Sequence, residues 1–215
     1  DGIFAVNSAN GTYLTIEAAD SVTGYEYGIY ADNNGTGALS ITTSGAVEGK
    51  SQAGISAFNS ANGTSLTIEA LASVTGDKYG IRALNEGTGA LSITTSGAVT
   101  SGEEAPAHAG ILAVNYGTSL TIEAEASVTS SATGIAGINL GSGALSITTL
   151  GAVEGQTAGI AARNSANGTS LTIEALASVT GNVYGIRALN EGIGALNITT
   201  EGTVEGKSFI GIQAT

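Results

Sequence analysis

"GIRALNEGTGALSITTSGAV", from Gly80 to Val99, contains two short alternating patterns and a closing valine. In Ile81-x-Ala83-x-Asn85 and in Leu91-x-Ile93 every second residue belongs to one set, the period of a strand with one buried face. Gly87, Thr88 and Gly89 lie between the two patterns and signal a turn. The stretch therefore predicts two short strands joined at a corner, with Val99 opening a third.

The same sentence recurs outward in both directions. The Gly-Ile that opens each unit falls at Gly2, Gly28, Gly54, Gly80, Gly110, Gly134, Gly159, Gly185 and Gly211, in steps of 26, 26, 26, 30, 24, 25, 26 and 26 residues. That makes eight units and the start of a ninth. "NSANGTSLTIEALASVTG" is written twice without change, at Asn59–Gly76 and Asn164–Gly181. The Ile column runs Ile3, Ile29, Ile55, Ile81, Ile111, Ile135, Ile160 and Ile186; two residues on stands alanine, or glycine at Gly137. Each unit then has a Leu-x-Ile pair, from Leu14 and Ile16 to Leu196 and Ile198, and one valine, from Val22 to Val204.

Few architectures accept this pattern. No window has the i, i+3, i+4 spacing of a helix, and 33 glycines disfavour one. Propeller blades need four strands and about 40 residues or more. The expectation is an all-β chain, a single-stranded parallel β-helix (β-solenoid) of about eight coils of about 26 residues, with three short strands per coil and two alternating coil types. Residues 1–215 form one continuous solenoid, interrupted by a surface-loop insertion at 101–109. One coil buries only four large aliphatic side chains, too few to offset the entropy of ordering its backbone. Stacking is what stabilises it, and copying lets identical side chains stack.

Every unit carries an asparagine two residues after the alanine position: Asn7, Asn33, Asn59, Asn85, Asn115, Asn139, Asn164 and Asn190. At a corner, each amide can donate to the next coil and accept from the one before, so a structural ladder is expected. A row of ligand-binding amides is the alternative.

The two coil types differ after the buried isoleucine of the second strand. Glu17, Glu69, Glu123 and Glu174 alternate there with Thr42, Thr94, Thr148 and Thr199. Glutamates in every coil would face one another at about 4.8 Å. Alternation doubles that to roughly 9.6 Å, about one Debye length at physiological salt. The neighbouring column is rich in hydroxyls (Thr15, Ser40, Thr67, Ser92, Thr121, Ser146, Thr172), with Asn197 last. It reads as a solvated strand face, or alternatively as an ice-binding array interrupted by the glutamates.

Outward positions of the first strand are unexpectedly apolar: Phe4, Val6, Tyr30, Phe58, Leu84, Leu112, Val114, Ile138 and Leu189, with Arg82, Arg163 and Arg187 among them and Asp32 the lone acid. An apolar stripe along a solenoid predicts a partner surface.

Catalytic and metal chemistry finds little support. The single histidine, His108, lies in the insertion with Glu103 and Glu104, too few groups for a nucleophile–His–acid set and read as a solvated loop. With no cysteine there are no disulfides or thiolate metal sites. No cofactor, metal site or enzymatic activity is expected. The net charge of -12, with only six basic residues, argues against nucleic acid or an anionic membrane as partner. No apolar run is long enough to insert into a membrane. Sequons at Asn10, Asn34, Asn62, Asn167 and Asn197 admit glycosylation, but four are Asn-Gly-Thr, which a turn uses anyway. Beginning and ending in mid-pattern, the chain reads as a piece of a longer repeat protein.

With G-I-x-A-x-N opening each coil, the Gly80–Val99 run resembles the passenger domains of bacterial autotransporters and related type V-secreted adhesins. The resemblance covers the whole chain and implies a right-handed parallel β-helix at the bacterial cell surface, a stalk or adhesin segment exported through an outer-membrane barrel. Its expected partners are other copies of itself, neighbouring solenoid segments or a surface receptor. A self-assembling extracellular filament is the second expectation and ice binding the third.

Overall fold

Tyr79–Asn85, Leu91–Thr95 and Val99–Ser101 are the three strands of one coil, and every unit repeats that plan. The computed structural model describes residues 1–102 and 108–215 and contains no helix among them. In the first coil, β1 (Ile3–Asn7), β2 (Leu14–Ala18) and β3 (Val22–Gly24) form three sides. Equivalent strands of successive coils pair in parallel, giving a nine-stranded first sheet and two eight-stranded sheets. The chain is a β-solenoid.

Register follows the sequence columns. Ile81 pairs with Ile55 on one side and Ile111 on the other, as Asn85 does with Asn59 and Asn115. Leu91 and Ile93 stack between Leu66 and Ile68 and Leu120 and Ile122, and Val99 between Val74 and Val128. These inward side chains form one core running the length of the solenoid, fully buried in the inner coils.

The glycine before each isoleucine has a packing reason. A Cβ at Gly28 would lie 2.5 Å from Val47 Cγ1 and 2.7 Å from the carbonyl oxygen of Gly54. The valine of the third strand thus fills the space that a side chain on the first would need. Gly-Ile and Val are two halves of one contact.

A second glycine column, four residues before that one in most coils, changes to serine at Ser101 and Ser130. Ser101 and Ser130 are buried and their hydroxyls hydrogen-bond at 2.8 Å. Ser130 Oγ also accepts from the Ala132 N–H at 3.1 Å. Ser101 ends its strand at the start of the expected 101–109 insertion, of which Glu103–Ala107 lie outside the described residues.

Candidate functional site

The asparagine column forms seven consecutive side-chain hydrogen bonds, each Nδ2 donating to the next Oδ1 at 2.7–3.0 Å. The second amide hydrogen goes to a corner carbonyl of its own coil, as from Asn85 to Gly89 at 3.1 Å and from Asn139 to Gly143 at 3.0 Å. From Asn33 to Asn164 these side chains are buried. With their donors committed to the protein, they have nothing left to offer a ligand.

The second sheet carries the expected alternation outward. Glu69 stands between Thr42 and Thr94, and Glu123 between Thr94 and Thr148. The glutamates are exposed and the hydroxyl column runs beside them. The third sheet follows suit: Thr23, Glu48 and Thr75 are consecutive, as are Thr129, Glu154 and Thr180.

The outward face of the first sheet is different. Phe4 and Val6 are exposed, at 64% and 52%, whereas the other apolar members of the stripe are half-buried. Side chains stacked about 4.8 Å apart shield one another, which the sequence columns alone do not reveal. Phe4 and Tyr30 stack with centroids 5.0 Å apart and planes 8° from parallel. Tyr27 and Phe58 pack on Tyr30 at 5.2 and 5.8 Å. Ser56, between Tyr30 and Arg82 in the register, is completely covered. Burial, then the charges of Asp32 and Tyr27, hold the Tyr30 phenol above its ordinary pKa against an opposing pull from Arg82.

All three arginines of the chain lie on this face. Arg82 sits over the Phe58 ring at 4.8 Å and near Tyr79 at 5.8 Å, and Arg187 lies 5.6 Å from the Tyr184 ring. Arg163 pairs with Glu191 through Nε and a terminal nitrogen, at 3.2 and 2.9 Å. Asp32 is the one acid in the two outward columns, against three arginines in a strongly acidic chain. Toward the later coils, Ala136, Ile138, Ala161 and Leu189 line a shallow apolar depression of about 190 Å³, rimmed by Arg163 and Arg187.

His108 meets Tyr79 edge-on at 5.1 Å, and its Nδ1 is buried without a hydrogen-bond partner among the described residues. Glu103 and Glu104 lie outside the described residues, and among those described no three histidine, aspartate or glutamate side chains gather as a metal site. Asn10, Asn62 and Asn167 occupy exposed corners, each followed by a glycine N–H that donates back to a serine carbonyl, as from Gly63 to Ser60 at 2.9 Å. No helix among the described residues is long and apolar enough to cross a membrane.

Sequence reasoning found the stripe but missed the tyrosines beside it. Tyr27, Tyr79 and Tyr184, each directly before Gly-Ile, supply much of the aromatic contact; the recurring Tyr-Gly-Ile was the available signal. Compared with known proteins, the chain matches no family model, no curated protein and no solved structure.

Proposed function

We propose that this chain is a non-catalytic structural and adhesive segment of a secreted bacterial β-solenoid, acting as a surface stalk or adhesin outside the cell. The observation that carries the reading is the outward face of the first sheet. Aromatic and aliphatic side chains and all three arginines continue along its strands, while the faces of the other two sheets are hydroxyl- and carboxylate-rich. A solenoid needs no such stripe to fold, because its core is already complete inside. Apolar surface rimmed by arginine is the composition of contact surfaces. The likeness of the coil consensus to autotransporter passengers supports the extracellular setting.

The test is adhesion of beads coated with the chain, to one another and to cell layers. A variant carrying Phe58→Ser, Leu84→Ser and Ile138→Ser should reduce adhesion several-fold while keeping the β-sheet circular dichroism. Coated beads that adhere no better than those carrying the variant would overturn the reading.

A further inference from the structure

The stripe is not uniform along the solenoid. Tyr30, Phe58 and Arg82 make a ridge in the second to fourth coils, with Ser56 covered beneath it. Ala136 and Ala161 make the depression in the sixth and seventh. The rings lean on one another and on Arg82, so their flat faces are largely occupied from within. A flat ligand such as a sugar ring would find few of them free.

We propose that a second copy of this chain covers the face, related by a two-fold axis that lies between the two sheets and runs parallel to their strands. The proposal rests on reading the face as an association surface and names its occupant. An axis level with Ala109–Asn115, which lies between the ridge and the depression, sets each coil against the one equally far on its other side. Strand direction is kept and coil order reversed, so each outward column meets itself.

The facing pairs then match in size and charge. Arg82 meets Ala136 of the second copy, and Leu84 meets Ile138, so the ridge of each copy enters the depression of the other. Phe58 faces Arg163 and Tyr30 faces Arg187, so each of these cations meets an uncharged side chain. Asp32 comes beside Arg187, and no arginine meets an arginine. An axis along the solenoid instead would set ridge on ridge and leave the depressions empty.

Electrostatics favour this face over the others. Two chains of net charge -12 repel, and the first sheet is where acidic groups are scarcest. The size suffices: nine strands span about 38 Å and the outward columns about 16 Å, so each copy would bury roughly 600 Å², near the lower end for specific interfaces.

Sedimentation equilibrium of the 215-residue chain tests the pairing. A closed monomer–dimer equilibrium is expected. Ala136→Lys, which sets a lysine opposite Arg82, should weaken it at least about tenfold. Adding Arg82→Glu to that variant should restore most of the loss. Ile138→Lys with Leu84→Glu repeats the test one column away, should either lysine disturb folding. A chain monomeric at every concentration, an open-ended oligomer, or failure of both charge pairs to rescue would overturn the two-fold arrangement. Beads that still adhere when the chain is monomeric would sink this pairing and leave the adhesive reading standing.

Discussion

Along the first sheet, the two sides of the same strands follow different rules. Inward, Ile, Ala and Asn recur coil after coil, with Gly137 the one departure among the eight full units. Outward, the pair of residues changes almost every coil, Arg-Leu alone returning at Arg82/Leu84 and Arg187/Leu189. The inner side is uniform because each residue packs against its own copy above and below. The outer side escapes that demand, so its residues are free to differ from coil to coil. Exposure alone does not produce variety, since the second sheet is regular outside as well. There the spacing of glutamates does the ordering.

The sharpest way to break the inner side is Asn115→Ala. It removes the acceptor of the Asn85 amide and the donor to Asn139 and to the Ser119 carbonyl. A loss of about 3 kcal/mol or more is expected, because buried neighbours are left unpaired. Urea unfolding measures it, and a loss below about 1 kcal/mol would mean that hydrogen bonding does not enforce the uniform column.

Gly134→Ala comes next. The added Cβ would sit 2.5 Å from Val153 Cγ1 and 2.6 Å from the Gly159 carbonyl oxygen. Overpacking of this kind costs about 1–3 kcal/mol. A melting temperature unchanged from the parent chain would refute the account of the Gly–Val contact.

The smallest effect tests the outer side of the second sheet. Thr148→Glu would place a carboxylate between Glu123 and Glu174, three in a row about 4.8 Å apart. At low salt it should cost about 0.5–1 kcal/mol, and high salt should remove most of that. An equal loss at both salt concentrations would assign the alternation to packing.

Much of the fold was legible because the solenoid writes each contact at a fixed step. Ile81 meets Ile55 and Ile111 since the same letter stands at the same place in each unit. The fold failed to show itself where a contact joins different letters. Gly134 and Val153 touch within one coil but belong to separate columns. Ser101 and Ser130 read as two lapses from a glycine column, and only the structure joins them through a hydrogen bond. The candidate face was legible as a list of apolar residues. Which rings stack, which arginine lies over which ring, and where alanines leave a hollow depend on side-chain direction, which a column does not encode.

The asparagine row also gives the solenoid a sense of direction. All seven links point one way, from the amide nitrogen of one coil to the amide oxygen of the next toward the C-terminus. The side-chain dipoles therefore add head to tail, like compass needles in a line, and each polarises the next. Turning one needle would set nitrogen against nitrogen on one side and oxygen against oxygen on the other. The row can hold only one orientation at a time, and every coil in it knows which way is up.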